Sequence, residues 1–237
     1  VVGSEQNIAG QSEGVVYAWT GAGWTKLASL TTAAWFNING RAPSKGWLVG
    51  SNGAIAQYDG KIWNLSNPAT VKEFRSVWIT AQDDGWAVGS AGQIYRWNSP
   101  VWDPVTPTVT TQDLKAVWAS SRDDVWAVGN QRTVLHYNGA AWASVTTGTT
   151  ATFLSGIAGN GPNDVWIAGD EVLRWDGNQW NKMPNPPASL STIFVEKSTV
   201  YGAAATGIYQ FEGNTWRQVS NEYTSMIAGS GNNLYAA

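Results

Sequence analysis

The chain has 237 residues, 16 of them tryptophan and 26 glycine, with no cysteine, one histidine and a formal net charge of −3. Without cysteine, disulfides, zinc–thiolate sites and Cys-His arrangements are excluded, and a lone histidine excludes histidine-rich metal sites. A slightly acidic chain with no basic run carries no electrostatic footprint for nucleic acid, and no apolar run is long enough to span a membrane.

In chain order, Val15–Trp19 and Trp24–Ala28 read as strands joined by a glycine-rich turn. The same turn-plus-tryptophan element returns at Asp59–Trp63, Asn98–Trp102, Asn138–Trp142, Asp176–Trp180 and Glu212–Trp216. From Trp24 onward its tryptophans lie 39, 39, 40, 38 and 36 residues apart. Asn-Gly and Asp-Gly are hairpin signals because both residues tolerate positive φ. An aromatic-then-small run precedes the turns: Trp47–Gly50, Trp86–Gly89, Trp126–Gly129 and Trp166–Gly169, weakening to Tyr201–Ala204 and Tyr235–Ala237. Earlier still come Thr31–Trp35, Phe74–Trp78, Leu114–Trp118, Phe153–Ile157, Leu190–Phe194 and Tyr223–Ile227. Their third residue is always small, which suggests crowding where inner strands converge on an axis.

Four strands per unit, a period of about 39 residues and no helical periodicity predict an all-β fold. The architecture expected is a β-propeller of six four-stranded blades, a single domain over residues 1–237. The first and last units are each incomplete, so a blade shared between the N- and C-terminal strands is expected to close the ring. The alternative is a seventh, truncated blade, with Asn7–Gly10 forming a second strand of its own.

The ordering L-x-x-V-W, D-D-x-W-A-V-G, G-x-[IV] and [DN]-G-x-x-W resembles bacterial propellers with BNR (Asp-box-like) and YCF48-like repeats. Of the full Asp box, S-x-D-x-G-x-x-W, only the terminal [DN]-G-x-x-W remains. The resemblance implies a fold more than an activity, since that family includes sialidases, lectins and assembly factors.

His136 sits mid-strand at a position held elsewhere by Gln57, Arg96 and Gln210, and reads as structural. Asp83-Asp84, Asp123-Asp124 and Asn163-Asp164 recur at one place in the repeat, which favours turn-forming over calcium binding or acid–base work. Most tryptophans read as core. Trp19, Trp97 and Trp175 end third strands beside a turn and are the candidate sugar-stacking platforms. Arg75 and Lys115 share a position near the start of consecutive inner strands, aligned with Thr32, Ser191 and Thr224. Either they are solvated surface cations, or these five residues form a small cationic, hydroxyl-lined site at a channel mouth for an anion or acidic partner loop.

No catalytic constellation, metal site or cofactor is recognised. The function expected is a non-enzymatic protein-binding or scaffolding module, a monomer or part of a larger surface protein. Its place is extracellular or on the cell surface, with the periplasm as the other setting. The alternatives are a lectin with repeated glycan sites and a sialidase-like glycoside hydrolase.

Overall fold

The apolar and aromatic runs become short antiparallel strands, because alternate side chains must be buried on two faces. The computed structural model describes residues 2–6, 12–19, 21–31, 33–42, 45–66, 70–183, 188–222, 224, 227–230 and 233–236. Their regular structure is β apart from two single 3-10 turns, Ser51–Gly53 and Ser90–Gly92. The chain divides into two compact units, Val1–Thr111 and Gln112–Ala237.

The first unit opens with a three-stranded sheet of β1 (Val2–Gln6), β2 (Ser12–Trp19) and β3 (Trp24–Thr31). Next comes a four-stranded meander of β4 (Trp35–Ala42), β5 (Lys45–Gly50), β6 (Ile55–Tyr58) and β7 (Trp63–Ser66). A second meander contains β8 (Phe74–Ala81), β9 (Asp84–Gly89), β10 (Ile94–Asn98) and β11 (Val101–Pro104). The leading strands β4 and β8 are neighbours: the Val77 and Ile79 amides donate to Asn37 Oδ1 (3.1 Å) and Asn39 Oδ1 (2.9 Å).

The second unit repeats the meander three times. Its sheets are β12 (Leu114–Ser121), β13 (Asp124–Gly129), β14 (Val134–Tyr137) and β15 (Trp142–Ser144); then β16 (Leu154–Gly161), β17 (Asp164–Gly169), β18 (Leu173–Trp175) and β19 (Trp180–Lys182). The third is β20 (Leu190–Glu196), β21 (Thr199–Ala204), β22 (Gly207–Glu212) and β23 (Thr215–Ser220). A two-stranded sheet, β24 (Ile227–Ser230) and β25 (Asn233–Ala236), follows. Ser155 Oγ ties β16 to β20 by donating to the Leu190 carbonyl at 2.7 Å.

Among the described residues the N-terminal strands β1–β3 and the C-terminal strands β24–β25, expected to share one sheet, are each paired only among themselves. β2 pairs with β1 in register Val2↔Val16, and β25 pairs with β24. The edge of β2 assigned to a C-terminal strand is already occupied by Val2–Gln6, while Asn7–Gly10 lie outside the described residues.

The glycine ending the second strand of four sheets is dictated by backbone crowding. A Cβ on Gly50, Gly89, Gly129 or Gly169 would fall 1.9–2.2 Å from the carbonyl oxygen just before the leading strand. That oxygen instead accepts the next amide, as in Asn130 N to Asp113 O at 2.9 Å.

The turns before the fourth strands are closed by their acid or amide. Asp59 Oδ1 accepts the Lys61 and Ile62 amides at 2.9 and 3.0 Å, and Asp176 Oδ1 accepts those of Asn178 and Gln179 at 2.9 Å. Asn138 does the same for Ala140 and Ala141 at 3.1 Å. The following glycines Gly60, Gly139 and Gly177 have φ of 102°, 89° and 94°, a region costly for other residues.

The tryptophans form an inter-sheet ladder. Trp47, Trp86, Trp126 and Trp166 are at most 3% exposed. Trp47 meets Trp97 of the next sheet edge-on at 5.8 Å, and Trp97 meets its own fourth-strand Trp102 at 5.5 Å. Trp126 likewise meets Trp175 (5.9 Å) and Trp180 (5.3 Å). Such pairs add about 0.5–1.5 kcal/mol each beyond the area they bury.

Candidate functional site: an open groove beside a repeated aspartate clamp

The recurrent aspartates do more than shape a turn. Asp84, Asp124 and Asp164 open the second strands and each accepts hydrogen bonds from an upstream residue and from the third strand; Asp124 and Asp164 accept one from a tryptophan as well. From four residues upstream come Thr80 Oγ1, Ser120 Oγ and Asn160 Nδ2, the last at 2.9 Å. From two residues downstream, Trp126 Nε1 donates to Asp124 at 3.1 Å and Trp166 Nε1 to Asp164 at 2.9 Å. From the third strand come Arg96 Nε at 2.8 Å, His136 Nε2 at 2.7 Å and Arg174 Nε at 2.9 Å.

Each third-strand group lies over the tryptophan opposite it in the register. Arg96 sits 4.9 Å from the Trp86 ring, His136 stacks 4.0 Å from Trp126, and Arg174 sits 5.2 Å from Trp166. Burial alone would push the Asp124 carboxyl up, but hydrogen bonds from His136 and Ser120 outweigh it and hold it below the ordinary carboxylate range. These carboxylates are committed to a structural clamp. Among the described residues no cluster of acids and histidines fits a metal ion.

The clamp is absent from the sheet β4–β7, where Lys45 and Gln57 take the places of aspartate and cation. It is absent from β20–β23, where Thr199 and Gln210 do so.

The proposed channel-mouth residues are only partly brought to one register position. Arg75, Lys115 and Ser191 are each the second residue of a leading strand, at a β-bulge in its pairing to the second. The same position holds Phe36 in β4 and Ser155 in β16. Thr32 lies outside the described residues. Thr224 is 2% exposed. The bulge and unequal loops shifted the sequence alignment of these runs.

Arg75 pairs with Glu73 and lies 4.5 Å over the Phe36 ring; Lys115 pairs with Asp113 at 3.3 Å. Each cation therefore has a carboxylate two residues upstream. Ser191 Oγ donates to the Ala203 carbonyl at 3.1 Å.

Of the three proposed stacking platforms, Trp97 is 4% exposed and belongs to the core, where it packs with Trp47 and Trp102. Trp175 is half-buried and donates Nε1–H to the Pro162 carbonyl at 3.1 Å. The Trp19 backbone pairs with Trp24, and its side chain is outside the described set.

One space in the second unit departs from the ladder. Two indoles of the next sheet, Trp175 and Trp180, meet Trp126, whereas Trp166 meets the smaller Phe211 at 5.3 Å, with Trp216 packed against Phe211 and the surrounding cluster. Beside it is a cavity of about 570 Å³ between the sheets β16–β19 and β20–β23. Its more buried lining is Trp166, Met183, Val200 and Phe211; its polar lining includes Asp164, Arg174, Lys197 and Asn214. Lys197 (φ 55°) and Asn214 (φ 127°) both hold positive φ at the tips of turns. No feature of the sequence marks this groove except the step from tryptophan to Phe211 in the third-strand series.

A second cavity, about 530 Å³, lies between the first two sheets of the first unit, with Tyr17, Leu27, Ile38, Tyr58 and Trp63 around Lys45. Both volumes fall within the range of roughly 300–1,000 Å³ of ligand pockets.

No protein-family model and no curated protein sequence matches the chain. Solved structures do. A structure of YCF48 bound to D1 peptide aligns with TM-score 0.62 and 15% identity, over 80% of this chain and 67% of that one. The computationally designed Ika8 protein gives TM-score 0.70 at 10% identity, over 94% and 74%. A chain of a mitotic checkpoint complex gives 0.75 at 12% identity, over 95% and 78%. At these identities the likeness shows the fold alone, and that fold is an all-β propeller.

Proposed function

We propose that residues 1–237 act as a single non-enzymatic propeller domain that binds an extended segment of a protein partner. The observation that carries this reading is the open, aromatic-lined and cation-rimmed groove beside Trp166, where the preceding copy is filled by Trp175 and Trp180. An apolar floor with a few convergent polar groups is the usual form of a recognition site. The similar folds of YCF48, bound to a D1 peptide, and of a protein in a checkpoint complex support a protein partner over a small substrate. The repeated carboxylates are consumed by the clamp, which leaves them unsuited to acid–base work.

The low charge and the abundance of Ser, Thr, Asn and Gly support a setting outside the cytoplasm, on a cell surface or in a periplasm. The [DN]-G-x-x-W turn, with its carboxylate or amide capping two amides, supports kinship with Asp-box repeats. Selection from a random peptide display library tests the reading. Enrichment of a motif whose synthetic peptide binds the full chain supports it. Glycan-array binding with no enriched peptide would favour the lectin instead.

A further inference from the structure

Two cations, Arg174 of the clamp and Lys197, line the groove. Arg174 uses Nε for Asp164, and among the described residues its terminal guanidinium nitrogens have no partner. Its side chain is 44% exposed. Asp164 already accepts from Asn160, Trp166 and Arg174. Lys197 pairs with no carboxylate among the described residues, and Asn160 fixes its turn by donating to the Lys197 carbonyl as well as to Asp164. A half-exposed guanidinium and an ammonium thus border one groove whose single lining acid, Asp164, is already paired with Arg174. Its floor is Trp166, Met183, Val200 and Phe211.

Resting on the protein-binding reading, we propose that this groove recognises an acidic side chain next to a bulky apolar one in an extended peptide. The carboxylate takes the free Arg174 N–H groups, with Lys197 beside it, in the fork geometry that arginine offers. The neighbouring apolar side chain enters over Trp166 and Phe211. A side-chain carboxylate fits better than a chain terminus, which is typically captured by a nest of backbone amides. Here the Asn214 amide at the groove is occupied by the Glu212 carbonyl at 2.8 Å.

The test uses the full chain and a fluorescein-labelled Ser-Glu-Leu-Ser peptide with blocked ends, read by anisotropy. Its Gln analogue and a Ser-Gln-Leu-Ser peptide with a free C-terminus run beside it. The Glu peptide is expected to bind on the order of tenfold tighter than either, with affinity falling as salt rises. Arg174→Gln and Lys197→Gln are each expected to remove most of that preference, and Lys72→Gln, a surface cation of the first unit, none of it. Because Arg174 also braces Asp164, Lys197→Gln is the variant that decides if Arg174→Gln fails to fold. Equal binding of the Gln peptide, binding only of the free-terminus peptide, or no effect of Lys197→Gln overturns the proposal. Library peptides indifferent to both substitutions would overturn this site while sparing the protein-binding reading. An empty library with a positive glycan array would remove both.

Discussion

His136 Nε2 lies 2.7 Å from Asp124 Oδ1, in the place where Arg96 and Arg174 hold Asp84 and Asp164 in their own sheets. One histidine and two arginines thus do the same mechanical work, each over a buried tryptophan. Replacing His136 by Ala should cost about 1–2 kcal/mol, because a half-buried carboxylate loses a hydrogen bond. His136→Arg should restore most of it. Urea unfolding at pH 7 checks both, and a neutral His136→Ala would mean the clamp contributes nothing.

Glu171 makes a prediction with a sign. The Lys182 ammonium (2.6 Å) and the Thr149 and Thr150 hydroxyls (2.7 and 2.9 Å) hold its carboxyl at about 2, below its ordinary 4.5, although burial opposes them. Being depressed in the folded state, it stabilises the fold fully above pH 4.5, and that contribution is lost as pH falls from 4.5 toward 2. With Lys182 largely solvated the effect should be about 1–2 kcal/mol. Comparing Glu171→Gln with the parent should show a gap at pH 7 that narrows below pH 4.5 and closes only as pH falls to 2; a constant gap would refute the linkage.

The repeat itself was legible because its devices are local. An Asp-Gly or Asn-Gly turn, a tryptophan after it and a glycine facing a carbonyl leave marks within a few residues. The leading-strand register was not legible, because a bulge and unequal loops leave Trp35 opening β4 as Phe74 opens β8, although the local pattern aligns Trp35 with Trp78. Asp124 was read as a turn residue for the same reason: its partners Ser120, Trp126 and His136 come from three strands. The groove depends on what Phe211 fails to fill, which no single copy reveals.

The sheet β4–β7 offers a gain-of-stability test. Trp47 Nε1 is buried without an acceptor among the described residues, and Lys45 stands where its siblings have aspartate. Lys45→Asp with Gln57→Arg should install the clamp and raise stability by about 1 kcal/mol. Gln57→Arg alone should destabilise, since it sets a second cation near Lys45. A double-mutant cycle by thermal unfolding measures the coupling; additive effects would mean that this sheet cannot accept the motif.

Trp97 separates core from surface roles. Trp97→Ala should cost about 3–5 kcal/mol, as for other large buried aromatics, and Trp97→Phe much less. Differential scanning calorimetry reads this directly. A cost below about 1 kcal/mol would place the indole outside the ladder.

The most direct measurement is hydrogen–deuterium exchange of the full chain with and without a library-selected peptide. Protection is expected in residues 196–200 and 211–216, the turns bearing Lys197 and Asn214, and at Arg174 in β18. Protection confined to other segments, or none at saturating peptide, would contradict a binding groove beside Trp166.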